Sequence, residues 1–328
     1  MKRHKICKII LAILAVFLCV AFYELIGICI TYKKQPAVSD ATIKETQNIM
    51  SVAGRENTER AVIIEKNSQA LLERVRLIQN AKDEIILSTF AFKSDESGKL
   101  ILGALHDAAD RGVHVRILVD GMESWIDMEG NPYFYGLSSH ENVEIKLYNK
   151  ANPLKPWKTM GRMHDKYLIA DGKIYILGGR NTYNYFLGDF PGHKNFDRDV
   201  LVVCDEPQKD NSVNQLWNYF ETIWEQEDCR YFHNSKKLAD RQSVKKAVLE
   251  LQEGYQQYFE VNKEKICDKD YADETFETEK ITLLSNPIHT QAKEPVVWYQ
   301  LGELMKNAKE RVKIHTPYII CNDMMYNL

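Results

Sequence analysis

A histidine and a lysine two positions apart are the residues of this sequence best suited to chemistry. His164 and Lys166 lie in the segment RMHDKYLIADGKIYILGGRN, which begins at Arg162. Residues i and i+2 of a strand point to the same face, so we expect the two side chains to emerge together. An imidazole beside an ammonium group suits phosphodiester cleavage. A covalent phosphohistidine divides one difficult step into two, and the cation offsets charge on the phosphoryl oxygens.

The charge distribution around this pair indicates an anion-binding site. Residues 150–180 contain seven Lys and Arg but two Asp, a net charge of +5. Residues 35–328 as a whole carry 37 basic and 45 acidic side chains, a net charge of −8. A basic patch on an acidic body focuses the field on a small anion. The overall balance argues against nucleic acid as the main partner, because proteins that bind it non-specifically are usually basic.

Strand-like and helical patterns alternate around the motif. Strands are expected at 84–92, 113–119, 143–148, 163–170, 173–177 and 199–203, and helices at 67–82, 98–111 and 207–227. The dipeptide Asp171-Gly172 predicts a hairpin turn between two of the strands. This alternation is typical of an α/β domain with a parallel or mixed sheet.

The N-terminal residues 1–34 are predicted to form a membrane anchor. A basic start is followed by an apolar stretch, Ile6 to Tyr32, that only Lys8 and Glu24 interrupt. The stretch is long enough to cross a bilayer and has no small-residue cleavage site of a signal peptide. More basic residues precede the stretch than follow it, which favours a cytoplasmic N-terminus. We therefore expect a single-pass protein of the cell membrane with its catalytic domain outside the cytoplasm.

The motif resembles the signature of the phospholipase D superfamily. The matching pattern is His-x-Lys, an aspartate five residues later at Asp171, and then Gly-Gly-x-Asn ending at Asn181. The segments EIILSTFAF, VHVRILVDG and VKIHTPYI are similar to strands of bacterial cardiolipin synthases and related phosphatidyltransferases. The resemblance implies an α/β/α sandwich and phosphodiester transfer or hydrolysis on phospholipids through a phosphohistidine. It implies neither a metal nor a cofactor.

The resemblance also assigns roles to individual residues. His164 is expected to be the nucleophile or the general acid, and Lys166 the phosphate clamp. Asp171 is counted with the catalytic group as the acid that orders the turn and supports the site. Asn181 is expected to donate a hydrogen bond to the phosphate.

A further carboxylate is expected to orient the histidine ring from behind. The resemblance places it at Asp197, in the segment FDRDVLVV. Asp199, two residues later, competes for the same role.

An internal repeat predicts a second domain. Residues 77–92 and 304–319 align without gaps, and both contain Asn-Ala-Lys, at 80–82 and 307–309. We expect a linker at 35–60, a first phospholipase D-like domain at 61–228, a helical connecting segment at 229–278 and an incomplete second domain at 279–328.

Superfamily enzymes join two His-x-Lys motifs, whereas this sequence contains one. His289 and His315 are followed two residues later by Gln291 and Pro317 rather than by lysine. Three expectations follow: a piece of a longer two-motif protein, a single-motif nuclease completed by a second copy, or an inactive remnant that binds anions. The expected partners are a phospholipid substrate, the membrane, and a second half-site from another chain or a homodimer.

Overall fold

The computed structural model describes residues 2–51, 58–207, 209–233, 235–267, 270–314 and 316. The helices are α1 Lys2–Tyr32, α2 Asp40–Ser51, α3 Asn67–Asn80, α4 Glu96–Asp110, α5 Gly121–Asp127, α6 Pro132–Ser138, α7 Ser212–Trp224, α8 Lys236–Ala239, α9 Gln242–Cys267, α10 Tyr271–Glu274 and α11 Val296–Lys306. The strands are β1 Glu59–Ile64, β2 Glu84–Thr89, β3 His114–Asp120, β4 Val143–Tyr148, β5 Tyr167–Ala170, β6 Ile174–Gly178, β7 Asp199–Cys204, β8 Cys229–Tyr231 and β9 Phe276–Glu277. A 3₁₀ turn spans Pro156–Lys158.

The strands form one mixed sheet in the order β8-β4-β3-β2-β5-β6-β7-β1-β9. β2, β3 and β4 are parallel, and the other neighbouring strands are antiparallel. Both faces are covered: Ile85 and Leu87 of β2 join the cluster beneath α3, α4 and α9, whereas Ile86 joins the cluster beneath α7. The prediction of an α/β/α sandwich with a mixed sheet is confirmed.

The position of β5 in the sheet decides where the motif lies. β5 runs antiparallel to β2, with Ser88 opposite Tyr167 and Ile85 opposite Ala170. Residues just before Tyr167 therefore lie at the carboxyl ends of the parallel strands, where α/β sheets usually place ligands. Residues just after Ala170 lie at the opposite edge.

The predicted hairpin turn between β5 and β6 is confirmed. Asp171 and Gly172 both have positive φ, 52° and 61°, as tight hairpin turns require. The Asp171 carboxylate accepts hydrogen bonds from the backbone N–H groups of Lys82 (2.9 Å), Asp83 (2.8 Å) and Glu84 (3.0 Å). The side chain therefore fastens the turn to the start of β2.

Replacing Asp171 by alanine is expected to cost about 2–3 kcal/mol of unfolding free energy. The change leaves backbone donors without their acceptor and places an alanine at positive φ. Asp171→Asn should cost less, about 1 kcal/mol, because asparagine tolerates this backbone region and keeps one acceptor oxygen. Urea unfolding of both variants measures the difference. Equal stability of wild type and Asp171→Ala would contradict this role.

The start of the domain differs from the prediction. Residues 59 and 60, assigned from the sequence to the linker, belong to β1, which pairs with β7. The strand opens with two charged residues, and its apolar part, residues 61–64, does not alternate with polar residues, so no strand pattern reveals it. Glu59 is nonetheless buried, and its carboxylate accepts from Ser212 Oγ (2.6 Å) and Val213 N (3.2 Å) at the start of α7.

The segment predicted as a helical connection is part of the sandwich. α9 packs along α4 so closely that a Cβ on Gly103 would lie 2.6 Å from the Leu251 carbonyl oxygen. β8 adds an edge strand beside β4. Residues 229–267 thus complete one layer and one end of the sheet.

The N-terminal helix α1 is long and apolar enough, at His4–Tyr32, to cross a membrane by length and composition. Residues 4–23 are exposed along their whole length. The orientation of this helix remains a prediction.

The second copy of the repeat is described only in part. In the repeat, Asn307 corresponds to Asn80, the last residue of α3. α11 ends one residue before that position, at Lys306. Val312 and Ile314 lie outside the strands and are exposed. The rest of the strand-like segment VKIHTPYI, residues 312–319, lies mostly outside the described residues, so the second domain remains a prediction.

Candidate active site

His164 and Lys166 meet at the carboxyl edge of the sheet. They lie on the extended segment that leads into β5, and Gly178 N donates to the Lys166 carbonyl oxygen (3.1 Å). Lys166 Nζ lies 2.8 Å from His164 Nδ1 and donates to the His164 carbonyl oxygen (2.5 Å). The imidazole is exposed, whereas Lys166 is 6% exposed. The expectation that the two side chains share one face is confirmed.

Burial and mutual repulsion shift the protonation of both groups. Although residue His164 is accessible to solvent, the partial burial of its ring lowers its pKa, and the neighbouring Lys166 charge lowers the pKa further, against the opposing effect of Asp120. Burial also lowers the pKa of Lys166 to about 8, although Asp165 and Asp197 counteract it. Near neutral pH the arrangement is a neutral imidazole beside a cationic ammonium group, which is the state that nucleophilic attack on a phosphate needs.

Phe90, just after β2, packs against His164 and Lys166. Its ring centroid lies 4.5 Å from that of His164. Lys166 Nζ and Arg162 Cζ lie 5.4 Å and 5.6 Å from the Phe90 ring centroid. The aromatic face favours both cations where water is partly excluded.

Asp120, at the end of β3, positions the segment that carries the histidine. It is fully buried and accepts from Arg162 Nε (2.9 Å) and Met163 N (3.2 Å). It also accepts from Met122 N (3.0 Å) at the start of α5. In the sequence, Asp120 follows the strand expected at 113–119, within the segment VHVRILVDG, but no role was assigned to it. The available signal was an acid at the carboxyl end of a buried parallel strand.

The structure separates Asp171 from the pair. Asp171 lies at the far end of β5, beside Glu84, because the strand runs away from His164 after Tyr167. Asp171 therefore holds the hairpin turn and does not contact His164 or Lys166 among the described contacts. Asn181 Oδ1 accepts from Ala91 N (3.1 Å), which fixes the amide beside the end of β2. Among the described contacts, Asn181 touches neither His164 nor Lys166.

The two candidate aspartates occupy different places. Asp197 is partly exposed and close enough to Lys166 to raise its pKa. Its described contacts include no hydrogen bond to His164. Asp199 is buried, 3.0 Å from Arg74 Nη2 and 3.3 Å from Arg180 Nη1. Of the two, Asp197 lies near the site and Asp199 belongs to the core.

The glycine pair of the motif makes room for both carboxylates. A Cβ on Gly178 would lie 2.0 Å from Asp199 Oδ1, and a Cβ on Gly179 would lie 2.0 Å from Asp197 Oδ2. Real Cβ atoms do not approach oxygen so closely. The requirement for glycine at both positions is therefore steric.

A cleft of about 380 Å³ opens in front of the pair. It is lined by His164 and Lys166, by Asp165 and by Lys293 of the segment before α11. A larger cleft of about 950 Å³ between α2, α7 and residues 279–285 contains neither His164 nor Lys166. The smaller cleft is therefore the candidate active site, because His164 and Lys166 line it.

Two residues of the cleft were not identified from the sequence. Asp165 accepts from the Tyr219 hydroxyl (2.7 Å), and burial raises its pKa. Burial lowers the pKa of Lys293, against the attraction of Asp165. Within the described part of the chain, the Lys293 ammonium group has neither a hydrogen bond nor an ion pair. No motif marks Lys293, so only the structure reveals this unpaired cation.

Comparisons with known proteins agree with this geometry. A family model described as cardiolipin synthase, PLD-like domain, matches residues 75–224. An uncharacterized protein of Helicobacter pylori is 27% identical over 301 residues, 83% of this chain and 56% of that protein. Cardiolipin synthase C of Escherichia coli is 29% identical over 154 residues, 43% of this chain and 31% of the enzyme. The chain thus spans about half of the first relative and about a third of the second.

Among solved structures, the phospholipase D family member Nuc from Salmonella typhimurium aligns with a TM-score of 0.38 and 20% identity. The alignment covers 53% of this chain and 98% of Nuc. Residues 75–224 thus match a PLD-like domain, and over this region the chain is similar to cardiolipin synthases of the phospholipase D superfamily.

Proposed function

We propose that this chain supplies a half-site for phosphodiester transfer or hydrolysis on phospholipids, of the cardiolipin synthase or phospholipase D type. The observation that carries the proposal is the contact of a lowered-pKa His164 with Lys166 in a cleft that also holds the unpaired Lys293. The family and the apolar helix α1 support a lipid substrate.

The first step binds the phosphate. Its oxygens carry negative charge and are stronger acceptors than His164 Nδ1, so the Lys166 ammonium group is expected to turn toward them. That movement frees the lone pair of the imidazole. Lys293 contributes a second positive charge from the other side of the cleft.

The second step is attack on phosphorus. A nitrogen–phosphorus bond forms as the bond to the leaving alcohol breaks, and the alcohol oxygen takes a proton. The proposed donor of that proton is a second half-site, from another chain or a second copy. Water or an acceptor alcohol then attacks phosphorus and returns a proton to the group of the second half-site that protonated the leaving alcohol, while the bond to His164 breaks and the neutral imidazole is regenerated.

Activity should have a bell-shaped pH dependence. The neutral His164 exists above its pKa, which lies below the usual 6.5, and the charged Lys166 is lost as the pH rises through about 8. The activity that remains in Lys166→Arg should not fall at alkaline pH, because the guanidinium group stays charged. Profiles of kcat/KM against pH for both proteins measure this. An unchanged alkaline limb in Lys166→Arg would assign that titration to another group.

Lys293 should contribute to substrate binding. Lys293→Ala is expected to raise KM roughly tenfold, with a smaller effect on kcat, because one cation facing the phosphate is lost. Lys293→Arg should retain most of the affinity. Lys306→Ala, which removes an exposed partner of Glu303, is the matched control. A KM for Lys293→Ala equal to that of the control would remove Lys293 from the site.

A nuclease is the second candidate, and the basic segment 150–180 favours it. Lys150 and Lys155 are exposed, and neither side chain has a hydrogen bond or a close ion pair among the described residues. The experiment that separates the candidates offers the full chain phosphatidylglycerol vesicles and, separately, plasmid DNA at low salt. Turnover of the lipid supports the proposed function. Cleavage of DNA alone, lost in Lys166→Ala, would replace it with the nuclease.

A further inference from the structure

The last turns of α1 pack against the domain. Glu24, Gly27, Ile28 and Thr31 are partly covered, at the spacing of one helix face, whereas residues 4–23 are exposed. A Cβ on Gly27 would lie 2.6 Å from Pro156 Cγ. The C-terminal part of α1 thus lies directly on the loop that precedes the catalytic motif.

The exposed part of α1 has the length of a bilayer core. Residues 4–23 rise about 30 Å at about 1.5 Å per residue, which equals the usual hydrocarbon thickness. The boundary of the bilayer then falls at Tyr23 and Glu24. The Tyr23 hydroxyl donates to the Leu154 carbonyl oxygen (3.3 Å), so Leu154 lies at the height of this boundary.

Residues 150–162, here termed the interface loop, have the chemistry of a membrane surface contact. Leu154, Trp157 and Met160 are 76%, 40% and 58% exposed. Lys150 and Lys155 are also exposed, and their side chains have no hydrogen bond or ion pair within the described chain. Tryptophan favours the headgroup region, and lysines near the surface attract anionic lipids.

The interface loop is continuous with the candidate active site. A groove of about 190 Å³ is lined by Glu24 of α1, by Lys150 and Lys155, and by Arg162. Arg162 also lines the cleft that holds His164. A headgroup that leaves the bilayer beside α1 therefore meets a basic path that ends at the histidine.

We propose that the interface loop docks on the surface of the bilayer that α1 crosses, with Trp157 and Leu154 in the headgroup region and Lys150 and Lys155 on anionic phospholipid headgroups. The inference rests on the proposed phospholipid function and adds how the substrate reaches the site. It also explains why Glu24 is tolerated in an apolar helix, since Glu24 lies at the boundary beside two lysines.

Quenching of tryptophan fluorescence by brominated lipid tests the proposal. The full chain is reconstituted in phosphatidylglycerol-containing vesicles whose acyl chains are brominated near the glycerol end. Trp157→Phe should remove a component that the lipid quenches. The matched control is Trp217→Phe, at the Asp171–Gly172 turn on the opposite edge of the sheet, which should leave that component intact. Replacing Lys150 and Lys155 by glutamine should reduce quenching of Trp157 by roughly twofold or more in anionic vesicles.

The same experiment separates this inference from the proposed function, because quenching requires no catalysis. It is therefore repeated with His164→Asn, which should be quenched like wild type. Quenching of Trp157 in a chain that neither turns over lipid nor forms a covalent phosphohistidine at His164 with an activated phosphodiester would support the docking surface and reject the proposed function. Lipid turnover with Trp157 unquenched, or equal quenched fractions in wild type and Trp157→Phe, would overturn the docking surface.

Discussion

Replacing His164 by asparagine is expected to reduce phosphodiester turnover by roughly 10⁴-fold or more. Asparagine retains a polar side chain of similar reach, but its amide nitrogen has no lone pair available to attack phosphorus. The fold should be unaffected, because the side chain is exposed and its described polar contacts are limited to Lys166. Initial rates with a phosphodiester substrate measure the loss.

The matched control is His114→Asn. His114 opens β3 at the edge of the sheet opposite Asp120, near Glu84 and Glu144. Its substitution should leave the rate within about twofold, as expected for a surface change away from the site. A His164→Asn enzyme as fast as the control would reject the histidine as nucleophile.

The largest loss of stability is expected for Asp199→Ala. The Asp199 side chain is fully buried, and those of Arg74 and Arg180, its two ion-pair partners, are at most 5% exposed. Removing the carboxylate leaves two guanidinium groups buried without their common anion, which should cost about 3–5 kcal/mol of unfolding free energy. Urea unfolding followed by circular dichroism measures this cost.

Asp205→Ala is the control for the buried aspartate, because Asp205 is exposed just after β7. It should change stability by about 0.5 kcal/mol or less. Asp197→Asn should likewise leave stability nearly unchanged, and it should shift the alkaline limb of activity downward because Asp197 raises the pKa of Lys166. A loss for Asp199→Ala no larger than that for Asp205→Ala would contradict the assignment of Asp199 to the core.

Sequence patterns predicted the central part of the sheet because it is buried on both faces. Strands such as β2 and β3 are buried almost throughout and carry apolar residues on both faces, and the turn at Asp171 carries a dipeptide with a specific backbone preference. β1 escaped prediction because two charged residues open it and its four apolar residues do not alternate with polar ones, and β8 because it has three residues, one of them charged. Their place is decided by partners distant in sequence, β7 and β4.

The part of the candidate site that could be predicted is the part in which the two-residue period of a strand decides to which face a side chain points. His164 and Lys166 share a face for that reason, and the contact between them follows. The roles of Asp120 and Lys293 were not predictable, because they depend on how β3 and the segment before α11 meet the motif in space. The distinction between Asp197 and Asp199 also needed the structure, since the two residues share one face of an extended chain and differ in what packs against each.

Isolation of a covalent phosphohistidine would test directly whether His164 is the nucleophile. An activated phosphodiester with a nitrophenolate leaving group is suitable, because that group departs without needing a proton and so does not require a second half-site. The full chain is mixed with this substrate and denatured at alkaline pH, where phosphohistidine survives. It is then digested and its peptides are analysed by mass spectrometry. A phosphoryl adduct is expected on His164, absent from His164→Asn and present in His114→Asn. An adduct on another residue, or hydrolysis by wild type with no adduct and at the same rate in His164→Asn, would contradict this expectation.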